Sequence, residues 1–465
     1  MFSDNTLTFP RTRLWFGILV VFQVFLGILP VVLPLSYLVP VVFFPVLIAA
    51  IFYKPILSYL ILVLLLPNYG IDLFKVGGDV DVSMLEPAIF LAFLGLMFLF
   101  IKKQKVSVHI TEVEFAIFFL FLWAVFSVFW TPVPLRGVQQ IVKIAEGIVI
   151  YFLSTTMITS RKDFNVVVGA WVLLVLVISV VGTYETFTSG FKAAASYTFT
   201  SGYDKIHKDV RTTALFEGAD MVGFITSLAT VLIVTYLLVL PRGWWKTILM
   251  CSLPLASFTL LTAMSRKSFV AIGGALFFMQ LMLKKKFLSK MIIILIVSFI
   301  IAVSVLLTMA SSGFIDALKE RVMSLFMSPE ESIKYRLDAW TVGIDMFKQS
   351  PLIGRGLGSF YQISLLAGSL LNFEHNFYVF IISELGLVGL FFLFFWWFQI
   401  GSKFVKLLKN CANEEIRVIG VGMVGGLITI AITMGFRSFS LTDPTFWGYM
   451  GLTSAFLKLH SQELK

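Results

Sequence analysis

EHNFYVFIISELGLVGLFFLFFWWFQI, Glu374–Ile400, joins a polar triplet to an apolar run. At 1.5 Å of rise per residue a bilayer crossing needs about 20 apolar residues, and the run from Phe377 has that length. His375 therefore belongs at a membrane surface, facing water, headgroups or substrate, where an imidazole is a candidate proton acceptor. Read as one helix, the stretch puts Glu384 about 13–14 Å deeper than His375 and half a turn round. That predicts a structural carboxylate facing the bundle interior rather than a partner for His375. Lys143 and Glu146 in the sixth apolar run read as the other buried charges, and the sequence leaves open which of these groups pair.

The composition agrees with a membrane reading. Of 465 residues 58% are hydrophobic and 13% charged, with 49 Phe and a mean hydropathy of +0.95, far from an ordinary soluble domain. Two cysteines, Cys251 and Cys411, support neither a disulfide framework nor a thiolate metal site. His109, His207, His375 and His460 are scattered without metal-ligand spacing, so neither a metal nor a cofactor is expected. The net charge of +10 invites a nucleic-acid reading. The basic residues fall in short clusters between apolar runs, however, which is how topology signals look; no nucleic-acid partner is expected.

Apolar runs lie near 14–30, 37–53, 55–67, 83–101, 115–130, 137–158, 164–186, 213–240, 246–264, 268–283, 289–310, 377–401, 416–435 and 444–459. They predict an all-α polytopic bundle of about 12–14 spans. Arg11 and Arg13 precede the first run without an evident cleavage site, so it reads as a retained helix. If every run spans once, the Lys/Arg clusters from Arg11/Arg13 to Lys403/Lys406/Lys409 and Lys458/Lys465 alternate onto one side. Positive loops stay cytoplasmic, so both termini are expected there and His375 on the opposite, extracytoplasmic face. Residues 311–374 form the only long polar insertion, a small helical extracytoplasmic cap on a single transmembrane domain spanning 1–465.

On that opposite face, where positive charge is disfavoured, the sequence places Arg136, Arg211, Arg266, Lys267, Arg336 and Arg355 near span ends. Guanidiniums clustered with few carboxylates suit a dianion such as a diphosphate, bound by bidentate hydrogen bonds. Snorkelling to lipid headgroups is the plainer role for any one of them. Arg211 and Arg266 abut long apolar runs and stand out. Asn376 is a helix cap or a substrate ligand. Gly354-Arg-Gly-Leu-Gly358 resembles a phosphate loop but lacks its spacing and its strand–turn–helix context, and reads as a re-entrant turn. Asp79 and Asp81 form a carboxylate pair of the kind that holds a divalent metal, or a solvated loop. Trp244/Trp245 and Trp396/Trp397 are expected in an interfacial belt at the cytoplasmic ends.

Four blocks together resemble the O-antigen ligase and polymerase family of bacterial surface-glycan assembly. Arg211-Thr-Thr-Ala-Leu-Phe-Glu-Gly-Ala-Asp220 is similar to its R-x-x-G-x-F-x-x-x-N entry to a span, with Ala214 for Gly and Asp220 for Asn. Thr262-Ala-Met-Ser-Arg-Lys-Ser268 resembles its T-x-S-R hairpin. Arg336–Trp340 and Pro351–Phe360 resemble its R-x-x-x-W and P-x-x-G-x-G-x-x-x-F cap. His375-Asn376 through Glu384, Gly386 and Gly389 resembles H-N-x-x-L-x-x-x-x-E-x-G-x-x-G, the most specific block. The likeness covers about 205–400, read as the catalytic core, and before it only Trp130–Arg136 is reminiscent of the family.

The resemblance implies a metal-independent, inverting glycosyltransferase at the periplasmic face of the bacterial inner membrane. It would take an undecaprenyl-diphosphate-linked glycan as donor and a sugar hydroxyl as acceptor. His375 would be the base, with Arg211 and Arg266 stabilising the departing diphosphate. Arg336, Arg355, Asn376, Arg136 and Lys267 would bind substrate, and Glu384, Gly386 and Gly389 would be structural. A ligase uses lipid A-core as acceptor, whereas a polymerase uses a second lipid-linked glycan. The short tail after the last run is unlike protein-glycosylating relatives with a large C-terminal domain, and the reading leans to ligase. A transporter or flippase is the alternative from another class, but its repeats and midplane charges are not evident.

Overall fold

The computed structural model describes residues 47–68, 72–76, 80–83, 85–102, 110–188, 219–241, 243–263, 265–309, 331–369, 373–437 and 441–464. The first apolar run, Asp79, Arg211 and the 311–330 part of the cap lie outside them. Residues 47–53 are helical, and α1 (Ile56–Leu65) follows with a short 3-10 turn. A two-stranded antiparallel hairpin, β1 (Asp72–Val76) and β2 (Val80–Ser83), stands where the sequence reads as a plain loop.

The remainder is helical: α2 (Leu85–Ile101), α3 (Glu112–Ser127), α4 (Pro134–Met157), α5 (Arg161–Thr188), α6 (Ala219–Val239), α7 (Trp244–Ala263), α8 (Arg266–Met282) and α9 (Lys285–Met309). Next come α10 (Glu331–Gln349) and α11 (Ser359–Leu366) of the cap, α12 (Phe377–Phe380), a π segment (Ile381–Leu385), α13 (Gly386–Asn410), α14 (Glu414–Met434) and α15 (Pro444–Leu459). Polar caps start several of them. Thr111 and Glu114 form a capping box on α3, Asn413 caps α14 and Asp443 caps α15, each meeting N–H groups that a helix start leaves unpaired.

Six helical stretches among the described residues are long and apolar enough to cross a membrane: α4, α5, α6, α7, α14 and the α12–α13 stretch. α1, α2 and residues 289–305 are shorter apolar helices. This is a polytopic helical bundle. α6 is its axis, with nearly every residue from Ala219 to Leu238 buried, wrapped by α5, α7, α8 and α14. Three of its buried hydroxyls are satisfied within the helix: Ser227, Thr230 and Thr235 donate to the carbonyls of Gly223, Thr226 and Val231 at 2.5, 2.7 and 2.7 Å, whereas the buried Thr226 hydroxyl has no protein hydrogen-bond partner. Such self-satisfaction lets polar side chains sit in an apolar interior without stranded donors. Phenylalanines on α2 and α3, among them Phe90, Phe93, Phe115 and Phe118, face outward as lipid contact requires.

Two expectations are corrected. Trp396 is not part of an interfacial belt: it is fully buried and stacks on Trp447 with ring centroids 5.3 Å apart. Trp244 and Trp245, stacked at 4.1 Å, are exposed. Nor is Glu374–Ile400 one unbroken helix. It runs as α12, passes through the π segment, and is interrupted at Gly386, whose φ is 68°.

That interruption organises the cap. A π segment followed by a left-handed residue frees several carbonyls and amides from helical pairing, and the Pro351–Phe360 loop takes them up. Arg355 N–H donates to the Ser383 carbonyl and Gly356 N–H to that of Glu384, both at 2.9 Å. In return Leu387 and Val388 donate to the carbonyls of Pro351 and Leu352 at 2.9 and 3.2 Å, and Trp123 Nε1 donates to the Leu385 carbonyl at 2.9 Å. The Glu384 carboxylate, 1% exposed, accepts from Gly358 N–H at 2.7 Å and Phe360 N–H at 2.9 Å. The turn reading of Gly354–Gly358 is thereby explained. A Cβ on Gly354 would lie 2.4 Å from the Glu384 carbonyl, and one on Gly386 would lie 2.4 Å from the Leu352 carbonyl oxygen. Both residues also have positive φ, so glycine meets steric and conformational demands at once.

Candidate functional site

The latch between cap and broken helix fixes the peptide just before α12. Asn376 is its N-cap: its side-chain oxygen accepts from Tyr378 N–H at 2.9 Å and Val379 N–H at 3.2 Å, leaving the amide nitrogen for any substrate contact. His375 before it has φ 49°, a left-handed conformation that a non-glycine residue adopts at a cost of order 1–3 kcal/mol. The peptide turns sharply there, and the half-buried imidazole is set among charges from three other elements.

Those charges are Lys267 from the first turn of α8, Asp220 from the first turn of α6 and Arg336 from α10. Lys267, 8% exposed, donates to Asp220 Oδ2 at 2.8 Å. Burial outweighs this partner, and with the fields of Arg437 and Arg336 it pushes the ammonium down to about 8. For His375, burial first and then the Arg336 and Lys267 charges push the imidazolium down to about 4, against the pull of Asp220. The imidazole is therefore neutral at pH 7, the form that accepts a proton. Arg266 opens α8 directly beside Lys267 and is half-buried.

Arg437 closes this face from beneath. Its guanidinium pairs with Asp443, the cap of α15, at 2.8 Å and lies 5.2 Å from the Phe224 ring of α6. Sequence reasoning passed over Arg437 and saw Asp220 only as a departure from a motif. The available signal was that Asp220 and Lys267 open runs whose ends, read as extracytoplasmic from the sequence, already carried the other candidate cations.

The remaining predicted residues sit elsewhere. Arg355 belongs to the latch, with its backbone on Ser383 and its buried Nε without a protein hydrogen-bond partner. Arg136, in the first turn of α4, lies over the Tyr361 ring of α11 with its central carbon 3.2 Å from the centroid. It lines a cavity of about 230 Å³ between α4 and the cap, shared with Gln139, Gln140, Glu374, Glu384 and Thr442. Burial, then the neighbouring Glu384 carboxyl, pushes the Glu374 carboxyl well above the usual carboxylate range. Lys143, whose partner the sequence left open, pairs with Glu86 at 3.0 Å and Glu146 at 3.1 Å. Among the described residues no three His, Cys, Asp or Glu side chains gather as metal ligands. Arg211 and Asp79 lie outside those residues.

The arrangement is a neutral imidazole held in a strained turn beside Lys267 and Arg336, with Asp220 partly balancing their charge. It can draw an anion to the imidazole and take a proton from a group delivered alongside. No curated protein matches the chain. Residues 251–394, from inside α7 to the first turns of α13, match the family model described as O-antigen ligase. This multi-pass membrane protein is thus similar to the O-antigen ligase family over the segment that carries Arg266, Lys267, Arg336, the latch and His375.

Proposed function

We propose that the protein transfers a glycan from undecaprenyl diphosphate to a sugar hydroxyl of lipid A-core at the periplasmic face of the inner membrane, with inversion and without a metal. The observation that carries this reading is the placement of His375, in a left-handed turn at the start of α12 beside Lys267, Asp220 and Arg336, within the segment similar to the O-antigen ligase family. In a single displacement the acceptor oxygen attacks the anomeric carbon from the side opposite the diphosphate. The new C–O bond forms as the bond to the diphosphate oxygen breaks, and its electron pair leaves with that oxygen. The hydroxyl proton passes to His375 and later to water. Positioned cations act most strongly on charge that grows in the transition state; Arg266, Lys267 and Arg336 are assigned this task, together with Arg211.

The same charges give His375 a substrate-dependent basicity. A diphosphate arriving beside Lys267 and Arg336 offsets their repulsion of the imidazolium and raises the proton affinity of the ring. Donor binding thus arms the base. The test is incubation of the purified protein in lipid nanodiscs with a lipid-diphosphate glycan and, separately, lipid A-core and a second lipid-linked glycan. Transfer to lipid A-core is expected. Extension of the lipid-linked glycan alone would make the protein a polymerase, and lipid movement without any transfer would overturn the enzymatic reading.

A further inference from the structure

Adjacent residues of one turn serve two compartments: His375 stands among the cations, whereas Glu374 points into the 230 Å³ cavity between α4 and the cap. This second compartment is polar and built. Glu374 is 2% exposed, yet its Oε1 has no protein hydrogen-bond partner, and the same holds for the buried Oε1 of Gln140 across the cavity on α4. An orphaned buried acceptor costs about 1–3 kcal/mol, so two in one cavity mark a place where something else donates. Gln139 and Thr442 add polar groups, and Tyr361 adds an aromatic ring under the Arg136 guanidinium.

We propose that this cavity is a sugar subsite, which binds one neutral, hydroxyl-rich ring of the acceptor through Glu374, Gln140 and Gln139 and presents its hydroxyl toward His375. Three features select that ligand class. The stranded acceptors call for O–H donors, which a sugar ring supplies on several sides, whereas a phosphate supplies almost none at neutral pH. The volume lies below the roughly 300–1,000 Å³ of pockets for drug-sized ligands, so it takes one ring and not a glycan chain. Of the cations on its wall, Lys143 is already paired with Glu86 and Glu146, and Arg136 lies against the Tyr361 ring, so the cavity offers an anion little. Binding a sugar here stands on the cavity alone; naming it the acceptor's sugar rests on the proposed transfer reaction.

Saturation-transfer NMR on the full chain in nanodiscs tests this without catalysis, using methyl β-glucoside and methyl N-acetyl-β-glucosaminide as probes. Wild-type protein is expected to transfer saturation to at least one glycoside, and excess inorganic diphosphate to leave the signal in place. Gln140→Leu and Glu374→Gln, each removing one acceptor, should weaken binding about three- to tenfold, while Arg266→Ala should not. Gln140→Leu lies on the wall of α4 and keeps the test decisive if Glu374→Gln fails to fold. No signal from wild type, displacement by diphosphate, or equal binding by Gln140→Leu would overturn the subsite. Glycoside binding with no transfer in the reconstituted assay would defeat the proposed reaction and leave the subsite standing.

Discussion

The chemistry of His375 comes from what surrounds it, and pH exposes this. A base works deprotonated, so the rate falls as pH drops through its pKa. For the free protein that limb is expected near 4, where burial and the Arg336 and Lys267 charges hold the imidazole, and it appears in kcat/KM. With donor bound the limb, read in kcat, should lie at higher pH because the diphosphate offsets those charges. Coincident limbs in the two profiles would count against a diphosphate beside His375. His375→Gln should lower kcat by about 10²–10⁴, the usual worth of a positioned base, and leave donor affinity nearly unchanged. Arg211→Lys and Arg266→Lys address the other half of the reaction. Lysine keeps the charge but loses the planar fork, so kcat should drop more than donor binding; near-normal rates in both variants would reject bidentate recognition of the leaving group.

At the level of elements, the latch between the Pro351–Phe360 loop and the broken helix carries His375 into place. Glu384→Ala strips acceptors from Gly358 and Phe360 N–H in a buried position, at an expected cost of about 2–4 kcal/mol. Thermal unfolding and proteolysis of the cap should both register it. Glu384→Gln, which keeps one carbonyl oxygen, should lose about half as much. The ion pair between the first turns of α6 and α8 behaves differently. Asp220 raises the affinity of Lys267 for its proton, so Asp220→Asn should bring the ammonium below about 8 and toward neutrality. A lysine is charged only below its pKa; donor affinity in this variant should therefore fall already between about pH 7 and 8, where wild type still binds. A pH-independent donor affinity in Asp220→Asn would remove Lys267 from the diphosphate site.

For the whole molecule, the proposed topology, read from the alternating Lys/Arg clusters, puts the latch and His375 toward the periplasm and Lys403 on the cytoplasmic side. Single-cysteine labelling from outside spheroplasts should reach a Cys introduced at Gln362, exposed on α11, and spare one introduced at Lys406. The opposite pattern would invert the bundle and place the chemistry in the cytoplasm. Chelation gives an independent whole-protein check: transfer should survive EDTA. Loss restored by magnesium or manganese would redirect attention to Asp79 and Asp81.

Long apolar runs speak for themselves, because a backbone in lipid must satisfy its own polar groups and a helix does so locally. Hence the polytopic helical class, the polar mouth at His375 and the cations near span ends were legible from residue order alone. The Asn376 cap was legible too, since it acts within a few residues of itself; Thr111, Asn413 and Asp443 cap in the same local way, though the sequence reading did not single them out. What depended on distant parts of the chain was not. The break at Gly386 hides inside an apolar run, because the groups that stabilise it come from Pro351–Phe360 and from Trp123. Trp396 looks like a belt residue until Trp447 arrives to bury it. Asp220 became a partner of Lys267, and Lys143 of Glu86, only once separate helices packed side by side. The chain order of the polar residues put the candidate charges near helix ends; tertiary packing decided which of them meet, because pairing, burial and the resulting proton affinities depend on distances that sequence separation does not encode.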